Sequence, residues 1–360
     1  MKSSLSLHNA ATTHNNGIDI VRVAAMCMIV AMHMMMQNMD VIRESCSPAA
    51  RILLRFFYAE TFSCVNLFVL ATGWLYAGRM PKIRRILELA CMVLFFDVGS
   101  RLIVCPFTGQ SFQWWRILHE HWFWNAYLAL ILLIPVLNCG LEELNRRYGD
   151  RNVLRFLFLV SFVFGVVPIN GVDSGRTLGW FVCLYLFGSQ LRFSSGNIKF
   201  PRFSTMIAFA IGLPIVAIGC AMVLFHQWNI PAYGMVEQYQ SPIVFLSSVL
   251  LFIALAKTNS IKRSKLLSIA ANASFSVYLV HTATVVRPHF FEFSKQIIER
   301  SSAYCAGFLV PPAILTGIFI VYVAGILMDR LRRSIFNLFR VDEFCKSAER
   351  YAQASLFSRQ

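Results

Sequence analysis

Arg22 and His33 lie on one stripe of the first apolar segment, which begins Ile18-Asp19-Ile20-Val21-Arg22 and ends Ala31-Met32-His33. Eleven residues at about 100° each make roughly three helical turns, so both side chains leave the same face, about 16 Å apart along the axis. Holding an ionisable group inside a bilayer costs about 2.5–3.5 kcal/mol on insertion scales, so such residues usually mark a pathway or a reaction centre. Arginine stays charged and offers a fork of donors suited to phosphate, whereas neutral imidazole accepts a proton near physiological pH. A cation near one membrane surface and a base deeper in suit a phosphorylated donor that threads its reactive end inward. Taken singly, each residue also fits a structural role, Arg22 as a snorkelling anchor and His33 as an interhelical hydrogen-bonder.

The same residue types recur at similar predicted depth on other apolar segments. Ala273–Thr282 carries Tyr278 and His281, three residues apart on nearly one face. Another segment opens His119-Glu120-His121-Trp122-Phe123, and a third holds Asp97 and Arg101 at the i,i+4 spacing of an ion pair. Glu60 and Asn66 stand on a fourth. Imidazoles, carboxylates and arginines converging at one depth predict a polar cavity among the helices.

The elements that must position these residues are membrane-spanning helices. The chain is 57% hydrophobic and 14% charged with a mean hydropathy of +0.59, a composition foreign to soluble domains. Hydropathy predicts an all-α polytopic integral membrane protein with about ten transmembrane helices, at 18–36, 56–78, 85–105, 123–139, 154–170, 178–192, 204–225, 243–256, 266–284 and 307–328. The formal charge of +15 reads as topology. Lys and Arg concentrate in the even-numbered loops and the tails, with Arg79–Arg85 and Arg330–Arg333 as the clearest markers, so both termini are expected in the cytoplasm. A nucleic-acid partner is not expected, since no basic surface interleaved with aromatics is evident.

Three regions follow: a polar N-terminal tail over 1–16, a transmembrane unit over 17–335, and a basic cytoplasmic tail over 336–360 whose mixed apolar and charged residues suit a short surface helix. The polar start lacks a cleavable signal pattern, so the first span is expected to serve as the insertion signal. Most of the ten cysteines fall inside or at the ends of spans without a Cys-x-x-Cys pair, and read as small buried hydrophobes. No metal site is expected.

Five segments in order resemble acyltransferase family 3, the ten-span membrane O-acyltransferases of bacterial envelope glycans. The first is Ile18-Asp19-x-x-Arg22 with its apolar run to His33. It is followed by Asn66-Leu67-Phe68-Val69-Leu70-Ala71-Thr72-Gly73-Trp74-Leu75, by His121-Trp122-Phe123 with its run to Pro135, by Trp180–Arg192 with its ending Leu186-Phe187-Gly188-Ser189-Gln190-Leu191-Arg192, and by Ser274-Phe275-Ser276-Val277-Tyr278-Leu279-Val280-His281. The likeness covers about residues 17–328. The chain departs from the family pattern at Thr72, where serine is usual, and at Asn66, near a position often acidic. The helix-4 histidine is one residue out of phase with Pro135, which leaves Glu120 as a rival to His121. The proline usually found soon after Arg84 and Arg85 is missing.

The resemblance implies a multi-pass enzyme of the bacterial cytoplasmic (inner) membrane. It implies Arg22 and His33 as essential, with His33 as general base, and acyl-CoA on the cytoplasmic side as co-substrate, acetyl-CoA by default, with no bound cofactor. On this reading Arg22, with Arg84 or Arg85, holds the donor phosphates, and His33 takes the proton of a sugar hydroxyl in a glycan or lipid-linked glycan. His281 and Tyr278 join the catalytic group, while Asn66, Glu120, His121, Asp97 and Arg101 support the acceptor or the oxyanion. No Ser-His-Asp or Cys-His arrangement is evident, which favours direct transfer over an acyl-enzyme. The rival reading is a secondary transporter or lipid-linked glycan exporter using the same residues as a proton relay, although no internal repeat supports it. A different histidine-dependent membrane acyltransferase architecture is the third. The acceptor, the acyl group and the oligomeric state stay open at this level.

Overall fold

A computed structural model gives the structure of the protein, and it describes residues 15–109, 122–166, 174–196, 198–225, 237–258 and 264–357. There is no strand among the described residues. The chain runs α1 (Asn16–Met36), α2 (Met39–Ser45), α3 (Pro48–Thr61), α4 (Ser63–Tyr76), α5 (Ile83–Thr108), α6 (Trp122–Tyr148), α7 (Asp150–Val166) and α8 (Leu178–Ser194). It continues through α9 (Phe203–Phe225), α10 (Pro242–Ala256), α11 (Lys265–Thr282), α12 (Arg287–Ser302), α13 (Val310–Leu338) and α14 (Val341–Phe357).

Helix α1 is the axle of the bundle. Asn15 caps it by accepting from the Gly17 N–H at 2.8 Å, which satisfies one of the free donors of the first turn. Its sides pack on α3, α4, α10, α11, α12 and α13, and Val21, Ala25, Val30 and Met34 are sealed from solvent. A chain with one helix so enclosed presents any polar group on that helix to protein and not to lipid, which is the condition under which such a group persists.

Close backbone approach sets the neighbouring pair. A Cβ on Gly73 of α4 would strike the Tyr185 carbonyl of α8, and one on Gly188 of α8 would strike the Leu70 carbonyl of α4. Lipid supplies no hydrophobic drive between helices, so small residues that let backbones meet take over that role. Ser189 then donates to the Gly73 carbonyl at 2.9 Å across the same seam.

Among the described residues helix occupies every predicted span, with different bounds, and residues 167–170 of the fifth lie outside them. Among the described residues, six helical segments are long and apolar enough to cross a membrane, or up to seven when the bent pair α11 and α12 counts as one span. The predicted spans 154–170, 178–192 and 243–256 correspond to α7, α8 and α10, whose 17, 17 and 15 residues are fewer than in any of those six segments. The span predicted at 56–78 starts earlier, at Pro48, and α3 passes into α4 through Phe62. Hydropathy assigns no separate place to α2 or α12. Helix α12 is polar on average, and it turns 92° from α11 where Ala283 leaves helical geometry. The tail forms α14, in keeping with its mixed composition, and α14 docks against α5.

Candidate active site

His33 on α1 and His281 on α11 meet, with Nδ1 of His33 3.0 Å from Nε2 of His281. Behind them, Nδ1 of His281 lies 2.6 Å from the backbone carbonyl of Val277. A carbonyl only accepts, so His281 carries its proton on Nδ1 and offers Nε2 as an acceptor. His33 must then donate from Nδ1, which leaves its own Nε2 bare. Two hydrogen bonds and one carbonyl thereby set the tautomers of two rings, and the free lone pair belongs to His33.

That pair borders a cavity of about 650 Å³, within the range of small-molecule sites. His33, Tyr278 and His281 line it together with Trp122, Phe123 and Tyr239. The Tyr278 ring stands edge-on to His281, centroids 6.1 Å apart, and against Phe123 at 5.4 Å. Arg176, Arg287 and Glu237 supply charge along the wall. Glu237 forms an ion pair with Arg55, and burial raises its carboxyl above the usual carboxylate range while Arg55 pulls the other way.

Three turns away on α1, Arg22 is half-buried with Asp19 3.8 Å from its guanidinium. Tyr127, Tyr322 and Arg85 lie within electrostatic reach. The Tyr322 and Tyr127 hydroxyls are themselves engaged, with Ser274 at 2.9 Å and Thr72 at 3.2 Å. Met26 and Ile29, on the stripe between Arg22 and His33, are 1% and 4% exposed. The two ends of the stripe are thus polar, Ile29 lines the cavity beside His33, and Met26 closes the stripe between Ile29 and Arg22.

The family model described as an acyltransferase domain matches residues 15–330 of the 360. The chain belongs to acyltransferase family 3. Searches of the curated proteins and of the solved structures return no match. This family 3 protein is therefore a membrane acyltransferase in general class, and the matched range spans α1 through most of α13.

In this acyltransferase, the structure brings His33, His281 and Tyr278 to one cavity and sets the other predicted site residues that it describes apart from it. Asn66 is fully buried, and its amide is spent on structure. It donates to the Tyr239 carbonyl at 2.8 Å and to Ser248 at 3.2 Å, and accepts from the Trp180 indole at 3.0 Å. Asp97 and Arg101 are buried one turn apart on α5, outside the cavity lining, with Asp97 in electrostatic reach of Tyr278. Arg84 is held by carboxylates, Glu88 at 2.6 Å and Asp342 of α14 at 2.6 Å, and Arg85 meets Glu88 at 3.1 Å. Glu120 and His121 lie outside the described residues.

Sequence reading passes over Arg176, Arg287, Glu237 and Tyr239. Each sits between apolar runs or just beyond one, where charge is ordinary and hydropathy carries no signal. A usable hint for Arg287 is its place six residues after His281, too close to be carried far once the chain turns.

Proposed function

We propose that this protein is an O-acyltransferase that moves an acyl group, acetyl by default, from acyl-CoA to a sugar hydroxyl of an envelope glycan or its lipid-linked precursor. The proposed setting is the bacterial inner membrane, with ten spans and both termini in the cytoplasm. The single observation that carries the reading is the hydrogen-bonded chain from the Val277 carbonyl through His281 to His33, ending in a bare imidazole nitrogen at the cavity.

In the proposed reaction, Arg22 holds a donor phosphate and the extended pantetheine arm follows the α1 stripe for the ~16 Å to His33. Met26 must yield to let it through. The hydroxyl of the acceptor gives its proton to His33 Nε2 as its oxygen attacks the thioester carbonyl. The tetrahedral intermediate collapses, the carbon–sulfur bond breaks, and the departing thiolate recovers the proton from His33. The products are the sugar ester and free CoA. The relay ends on a carbonyl, which takes a hydrogen bond and no proton, so the charge formed on His33 is steadied by His281 and not passed on. Tyr278 is a hydroxyl donor on the same wall for the developing oxyanion.

The test uses purified protein in detergent with radiolabelled acetyl-CoA. Wild type is expected to bind and slowly hydrolyse the donor. Arg22→Ala should lose binding, and His33→Ala should bind without turnover. Well-folded wild type with no affinity for acetyl-CoA or succinyl-CoA would sink the proposal.

A further inference from the structure

Among the described residues, the cavity beside His33 is lined by more positive charge than they balance. Arg176 and Arg287 both line it, and neither has a carboxylate within ion-pair distance among the described residues. The described carboxylate on the wall, Glu237, is committed to Arg55. Both guanidiniums lie within electrostatic reach of His33. The imidazolium formed when His33 accepts a proton would therefore be a third cation in one chamber, and a neutral acceptor would leave all three unmatched by the described residues.

Among the described residues, neither guanidinium has a hydrogen-bond or ion-pair partner that would occupy its donors. Arg287 opens α12 immediately after the 92° turn, which brings it to the wall of the cavity that His281 also lines. The Arg176 guanidinium sits over the Trp122 ring, 5.8 Å from its centroid, a contact that places the group without using its N–H donors. A planar fork with free donors is matched to a carboxylate or a phosphate.

We propose that this cavity selects an acceptor sugar bearing an anionic group, a carboxylate or a phosphate, which Arg176 and Arg287 bind so that a neighbouring hydroxyl faces His33. The inference rests on the acyl-transfer reading and names its acceptor class. The bound anion also offsets the charge that His33 acquires during transfer, so recognition and catalysis share one device.

The experiment compares three probes on the full-length protein in nanodiscs: methyl glucuronide, glucose 6-phosphate and methyl glucoside. Binding is read by thermal shift and by titration, and acetyl-CoA binding is measured separately on the same preparation. One or both anionic probes should bind at least about tenfold tighter than the neutral one, and which of them does so tells carboxylate from phosphate. Arg176→Gln and Arg287→Gln should each remove most of that preference, and Arg287→Lys should restore part of it. The wild-type comparison stands whether or not a variant folds. Equal affinity for all three sugars, no sugar binding, or a preference that survives both glutamine variants would overturn the inference. Loss of acetyl-CoA binding would instead strike the acyl-transfer reading itself.

Discussion

A histidine becomes a directed base when its surroundings decide which nitrogen holds the proton. Here the decision is made by the Val277 carbonyl and relayed through His281, so the proposed reaction gives the two rings unequal tasks. His33→Ala should lower acyl transfer by about 10²–10⁴-fold, the ordinary weight of a positioned base. His281→Ala should lower kcat by about tenfold or more while leaving KM for acetyl-CoA in place, because it removes orientation and no donor contact. Equal damage to KM would show that His281 does something else. Arg22→Lys should recover little of what Arg22→Ala loses, since a single ammonium does not reproduce a two-pronged grip. Arg22, His33 and His281 are legible in the sequence because each interrupts an apolar run. Arg176, Arg287 and Glu237 are not, because they lie where the chain leaves such runs and charged residues are expected anyway.

At the scale of elements, hydropathy finds helix wherever a long apolar stretch exists and misses the pieces whose position depends on contacts. Helix α12 carries Pro288, Glu292, Lys295 and Arg300 among its aromatics, so its amphipathic face is invisible to a search for spans. The reach of α14 is equally hidden. Its Asp342 holds Arg84, and Lys346 and Arg84 together keep that carboxyl below the usual range. If Arg84 serves the donor, α14 competes with it. Asp342→Asn should then lower KM for acetyl-CoA by roughly two- to fivefold, the scale of one exposed ion pair, in steady-state kinetics at low salt. An unchanged KM would remove Arg84 from the donor site. The seam between α4 and α8 makes a different demand. Gly188→Val should destabilise the folded protein by about 1–3 kcal/mol or more in a detergent melt, because its side chain would meet the Leu70 backbone, which cannot move aside cheaply.

For the whole molecule, the proposed arrangement puts the turn carrying exposed Cys305, between α12 and α13, on the outer surface, and α14 inside. A membrane-impermeant maleimide applied to intact spheroplasts should label Cys305, whereas a cysteine introduced as Ser347→Cys should react only after permeabilisation. The reverse pattern would invert the topology and place His33 near the cytoplasm. All-helical character and most segments can be read from composition and hydropathy alone. The enclosure of α1 cannot, because no local pattern says which of many apolar helices becomes the centre; that is decided by where glycines and small residues let others close in.

One such glycine has reach beyond packing. Gly325 of α13 presses on Val277, where even a methyl group would fall within about 3 Å of the valine Cα and Cβ atoms. Val277 also supplies the oxygen on which the His281 ring is hung. The calibration of the proposed reaction centre is therefore set from outside it, by the absence of a side chain on a helix that touches neither imidazole through that position. A Gly325→Ala protein that still folds and still takes up acetyl-CoA, yet turns over slowly, would reveal an enzyme detuned from behind.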